Sequence, residues 1–278
     1  MSEFAANILE QLTSAIDNDK LTLPTLPEVA LKVREVAEDP MVDVKKICDV
    51  IGNDAAISAR IIKVVNSPLM RGSREIDNLQ NAVGRLGITY SCNLATGLAM
   101  EQMFQATNDT IDKLMRDTWQ QSIEIAGISH VLCRQYTKLA PDQATLAGLM
   151  HRIGVLPILT FIEDQGEVPD EATLQQVIDE IHPTLGSKIL KAWDFPSEIA
   201  DVPSESVNFE RQGDDKPDYS DVVMVAILQS LAGTDHAFAQ LDWSQIKAFE
   251  KLGLDTEVDM NEGEDLSAEM EAAMALLS

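Results

Sequence analysis

The sequence predicts an all-α protein made of two packed helical subdomains, and three observations carry that expectation. No segment of the 278 residues sustains the period-two alternation of a half-buried strand. Apolar residues recur instead every third or fourth position, the spacing that gathers one face of a helix. Many of these runs start after Asp or Pro and stop at Gly or Asn, as helix ends require.

Taken in order, Phe4, Ile8, Leu12 and Ile16 form one apolar stripe, which predicts a first helix docked on the body. Pro24 and Pro27 punctuate a turn, and Pro27 opens a helix carrying Val29, Val33 and Val36 that stops at Asp39-Pro40. Asp43 is placed to cap Val44, Ile47, Cys48 and Ile51, with Gly52 expected in a left-handed exit conformation. Asp54 restarts a helix through Ile57, Ile61 and Val65, which Asn66-Ser67-Pro68 breaks before the polar loop Arg71 to Asp77. Leu79, Ala82, Val83 and Leu86 predict a short helix ending at Gly87, and Thr89 to Phe104 predicts the next.

After the Ala106 to Asp109 loop the helices lengthen. Ile111, Leu114, Met115, Trp119, Ser122 and Ala126 share a face of a helix reaching Tyr136. Pro141-Asp142 opens the helix bearing His151, expected to kink or end near Pro157. Helices over Ala172 to Ile181 and Pro183 to Trp193 follow, then Val202 to Asp218, whose Pro and Gly content predicts a mobile loop. Val222 to Leu231 and Ser244 to Leu252 complete the body, with Gly253 as the stop. Three regions result: residues 1–107, residues 108–254, and an acidic tail over 255–278 whose Leu266, Met270, Met274 and Leu277 predict a short amphipathic helix.

Charge and composition narrow the function classes. A net charge of −25 opposes the exchange of Lys and Arg for counterions that starts nucleic-acid binding, and Arg71 with Arg74 is the densest basic pair. The same acidity opposes anionic membrane surfaces. Cys48, Cys92 and Cys133 are widely spaced within apolar patterns, which predicts buried free thiols in a reducing compartment. The start Met1-Ser2-Glu3-Phe4 has no basic and apolar leader pattern, so a cytoplasmic protein is expected. No phosphate loop, serine nucleophile elbow or paired-cysteine zinc spacing occurs. The methionines Met100, Met103, Met115, Met150 and Met224 are expected to fill core gaps rather than line a partner groove.

Motifs spread over residues 20 to 255 together resemble the HDOD family, the HD-related output domains of bacterial signalling proteins. They include Leu23-Pro24-Thr25-Leu26-Pro27, Ser58-Ala59-Arg60-Ile61, Val65-Asn66-Ser67 and Ala82-Val83-Gly84-Arg85-Leu86-Gly87. Further on come Thr118-Trp119-Gln120-Gln121-Ser122, Ala147-Gly148-Leu149-Met150-His151, and the spacing of His182, Gly186, Trp193 and Pro196. The resemblance implies that residues 108–254 form a degenerate HD-type bundle. HD hydrolases hold a metal with a His-Asp pair, because imidazole and carboxylate suit a cation that activates water. Here Gln121 stands at the first metal histidine, His151 is kept, Arg152 replaces the aspartate and His182 is kept. The closing aspartate aligns with Ile227-Leu228-Gln229-Ser230. Arg has no lone pair to donate and a permanent charge that repels the ion.

The resemblance therefore implies no catalytic residue, no metal and no cofactor. It implies instead a non-catalytic regulatory module that binds another protein, one with a basic face if charge guides the encounter. Two alternatives stand beside it. One is a metal-dependent nucleotide phosphodiesterase; the other is a pseudoenzyme sensing a small anionic ligand or nucleotide among Gln121, His151, Arg152 and His182. Each residue also has a plain structural reading: His151 as a hydrogen-bonded core histidine, His182 at a helix end, and Arg152 paired with a carboxylate.

Overall fold

A computed structural model describes residues 3–18, 23–67, 70, 72, 74–166, 168–212 and 214–254. The regular elements among them are all helical. Helix α1 (Glu3–Asp17) buries Ile8 and Leu12 and packs on α10 (Glu171–Ala192). Helices α2 (Glu28–Ala37), α3 (Val44–Ile51), α4 (Ala55–Val65), α5 (Leu79–Leu86) and α6 (Ile88–Met100) follow as short, capped segments. Asp43 accepts from the Lys46 amide, Asp54 from Ala56 and Ile57, and Asn78 from Asn81. These bonds satisfy amide groups that a helix start leaves without partners. Gly52, expected in the left-handed region, has φ −63°. Its amide closes an ordinary helical turn on Cys48, and the Asp54 cap restarts the chain without a left-handed residue. Arg71 and the tail 255–278 lie outside the described residues.

The longer helices are α7 (Asp109–Tyr136), α8 (Pro141–Met150), α9 (Val155–Gln165) and α10. Residues 141–165 are apolar enough in length and composition to cross a membrane, yet most of them are buried inside the helical body. The expected break near Pro157 falls earlier, at the turn His151–Gly154. Pro157 then sits in the first turn of α9, where a missing N–H costs no helical bond. Pro183 does not divide its segment either: α10 runs through it. The packing of Ile178, Ile181, Leu185 and Ile189 in the core offsets the single hydrogen bond Pro183 cannot make.

Short helices α11 (Ser197–Ala200) and α12 (Val202–Glu205) lead to α13 (Tyr219–Ser230) and α14 (Lys247–Leu252). The segment after α12, expected as a mobile loop, is pinned by Arg211. Its guanidinium reaches Glu205 at 3.2 Å, Asp218 at 2.7 Å and the fully buried Asp221 at 2.6 Å. Lys251 of α14 meets Asp221 at 3.1 Å from the other side. Buried side chains from both sides of residue 107 form one contiguous core. Arg34 of α2 also joins the two halves: it donates to the Trp193 and Asp194 carbonyls at 2.7 and 2.9 Å and lies 4.1 Å from the Phe195 ring centroid.

Candidate functional site

The turn His151–Gly154 is held between α7 and α10 by two glycines. A Cβ at Gly148 would lie 2.5 Å from Ala126 Cα on α7, and one at Gly154 would lie 2.1 Å from the His182 carbonyl oxygen on α10. Only backbones without side chains at these points can come so close. The consequence is geometric. Gln121 from α7, His151 and Arg152 from the turn, and His182 from α10 line one cavity of about 430 Å³, closed on a further side by Ile227 and Leu231 at the end of α13. All four residues singled out in the sequence are therefore neighbours.

His151 meets its plain structural reading, whereas His182 and Arg152 depart from theirs. His151 is buried at 4% exposure, and its Nδ1 makes a 2.6 Å hydrogen bond with the Gly148 carbonyl, which fixes the proton on that nitrogen. Burial pulls its pKa down to about 3, the Gly148 bond opposes this, and the Arg152 charge adds to it. His182 is buried at 6% exposure in the middle of α10, so it does not serve a helix end. Burial, then Arg152, then His151 push its pKa well below the imidazole range. Both rings are accordingly neutral near pH 7.

Arg152 was expected to meet a carboxylate. It donates instead from Nη1 to the Gln121 amide oxygen at 2.8 Å. Asp179 acts on it through space, raising a pKa that burial lowers. Arg152 Nε and His182 Nδ1 are buried without a hydrogen-bond partner among the described residues.

Three further residues of the cavity were not singled out in the sequence: Glu124, Asp179 and His236. Burial raises the carboxyl pKa of both Glu124 and Asp179. Each stands three residues from a predicted site residue, Glu124 from Gln121 and Asp179 from His182, and i,i+3 neighbours share a helix face. The second signal was hidden because Pro183 split α10 into two expected helices.

The donor set does not fit a resident divalent metal. His151 and His182 sit beside the Arg152 guanidinium, which cannot coordinate and repels a cation, and the Gln121 amide is a poor ligand; Glu124 and Asp179 line the same cavity without joining the imidazoles in a ligand cluster. No three metal-ligating side chains come together among the described residues.

Comparisons with known proteins place the chain. A crystal structure of a candidate metal-dependent phosphohydrolase from Shewanella amazonensis SB2B is similar over 99% of both chains, at 32% identity and TM-score 0.88. A Geobacter sulfurreducens HDOD protein of unknown function matches at 19% identity and TM-score 0.66 over 99% of both chains. A candidate signal transduction protein from Marinobacter aquaeolei VT8 matches at 21% identity and TM-score 0.66, over 98% of this chain and 65% of that one. An uncharacterized Treponema pallidum protein is 23% identical over 192 residues, 64% of this chain and only 36% of its own length. The HDOD domain model matches residues 23–208, and the chain belongs to the HDOD family.

Proposed function

We propose that this chain is a non-catalytic signal-transduction module that acts by contact with another protein, in the cytoplasm of a bacterium. One observation carries the reading: the Arg152 guanidinium occupies the cleft of an HD-like bundle and is tied to the Gln121 amide at 2.8 Å. By resemblance to HD hydrolases these two positions would hold an aspartate and a histidine of the metal site. A fixed positive charge there repels the cation, and without the cation no metal-bound hydroxide forms. The signal-transduction name of the Marinobacter relative agrees with this reading. Glu124 and Asp179 also keep the cleft from being a simple anion trap.

The second reading comes from the name of the Shewanella relative, a metal-dependent phosphohydrolase. It requires a cation on His151 and His182 in spite of Arg152. A turnover assay separates the two. Purified protein supplied with Mn²⁺, Fe²⁺, Ni²⁺ or Mg²⁺ is expected to leave bis(p-nitrophenyl) phosphate and cyclic nucleotides intact. Metal-dependent hydrolysis that disappears in His151→Ala and His182→Ala would establish the enzyme.

A further inference from the structure

We infer that the cleft binds a small zwitterion of the α-amino acid type, with its anionic group on Arg152, its ammonium on Asp179 and Glu124, and an apolar side chain against Phe238, Val207 and Leu231. The inference deepens the non-catalytic reading above and rests on it, since it makes the former active-site cleft a sensing site.

Four observations point to this class of ligand. The first is the Arg152 side chain: it lines the cavity with only the Gln121 amide oxygen as a hydrogen-bond partner among the described residues, and its Nε, like His182 Nδ1, is buried without one. Burying such groups unpaired is costly, and an anionic group seated beside Arg152 supplies acceptors to a charged donor. The second is the opposite charge across the same cavity. Asp179 uses one oxygen, accepting from Gln175 at 2.7 Å, while Glu124 accepts no hydrogen bond from a described residue. Both carboxyls keep acceptor oxygens that an ammonium can satisfy, and a cation beside them offsets the burial that disfavours their ionised form.

The third observation is the balance. Besides its imidazoles, the cavity holds one guanidinium and two carboxyl groups, inside a chain of net charge −25. A dianion such as a nucleoside monophosphate faces more negative charge than positive, whereas a zwitterion matches both ends. The fourth is size and texture. A cavity of about 430 Å³ with an apolar flank is of the scale of small-molecule sites, which run roughly 300 to 1,000 Å³.

Titration calorimetry and thermal melting of the full chain test this with L-phenylalanine, L-leucine, 3-phenylpropionate, 2-phenylethylamine, adenosine 5′-monophosphate and inorganic phosphate. An amino acid with an apolar side chain is expected to bind saturably and raise the Tm. The analogues lacking either charge are expected to bind about ten-fold more weakly or worse, the factor one charge-assisted hydrogen bond carries. Arg152→Gln and Asp179→Asn are each expected to lose about the same factor while keeping the fold. Binding of the nucleotide or phosphate in preference, amino acid binding untouched by both substitutions, or no binding of either amino acid would overturn the proposal. Any of these outcomes without metal uptake leaves the non-catalytic reading intact; metal uptake at His151 and His182 would instead overturn that reading.

Discussion

At the scale of single residues, the two cleft histidines make stability depend on pH in a defined direction. His151 and His182 have folded pKa values below the unfolded imidazole value, His151 at about 3. The unfolded chain thus takes up protons that the fold refuses, and their contribution to stability is complete above about pH 6.5 and is lost as pH falls toward the folded values. Each histidine contributes a slope approaching ~1.4 kcal/mol per pH unit in that range. Raised carboxyls such as Asp179 and Glu124 act with the opposite sign, at pH values nearer the carboxylate range. Urea denaturation between about pH 6.5 and 5 is expected to show stability falling with pH, with the slope roughly halved in His151→Gln. A flat profile would mean that the rings are not held neutral.

Arg152 is the other decisive residue. Arg152→Asp returns a carboxylate beside His151 but leaves Gln121 as an amide and Ile227-Leu228-Gln229-Ser230 without a carboxylate. The variant is expected to remain inactive on phosphodiesters at every metal concentration tried. Turnover from this one substitution would show that the α13 segment had been aligned incorrectly.

At the scale of elements, the glycine contacts make the turn His151–Gly154 sensitive to one methyl group. Gly154 has an ordinary helical φ of −66°, so Gly154→Ala meets no backbone strain and acts through the close approach of the His182 carbonyl and the Gly186 amide nitrogen of α10. The expected cost is about 1–3 kcal/mol, as for overpacking elsewhere, read as a lower denaturation midpoint with an unchanged m-value. Arg211 offers the complementary test of the α12–α13 connection. Arg211→Met removes the main partner of Asp218 and Asp221, and breaking such a buried pair costs roughly 3–5 kcal/mol; Lys251, 3.1 Å from Asp221, reduces that loss.

The same elements show what the sequence discloses. Capping residues Asp43 and Asp54 and the apolar periodicities predict α2 to α7 closely, because both signals are local. Pro183 misleads for the same reason: its local penalty is visible in the sequence, and the long-range core packing that overrides it is not. Arg211 lies six to ten residues from its carboxylates and Lys251 thirty from Asp221, so a segment rich in Gly and Pro reads as mobile although an ion network holds it. In the cleft, His151 and Arg152 are legible from their adjacency, whereas Asp179 and Glu124 become cleft residues only through the rotation of α10 and α7 toward a common space.

At the scale of the whole molecule, the charge of −25 sets the choice of partner. No duplex DNA binding is expected by anisotropy at about 0.15 M salt in the range of 10⁻⁴ to 10⁻⁶ M, where non-specific binders act. Salt-sensitive binding in that range would require a basic face that the charge distribution argues against. For a protein partner, association is expected to be faster at low ionic strength when the partner face is basic.

On the proposed reading, Arg152 leaves the cleft of this HD-like bundle unable to hold a metal. Elemental analysis of protein purified without chelators, repeated after dialysis against Mn²⁺, Fe²⁺, Zn²⁺ and Ni²⁺, measures it directly. The account predicts substoichiometric metal that His151→Ala does not change. About one equivalent per chain, lost in His151→Ala and His182→Ala, would contradict it.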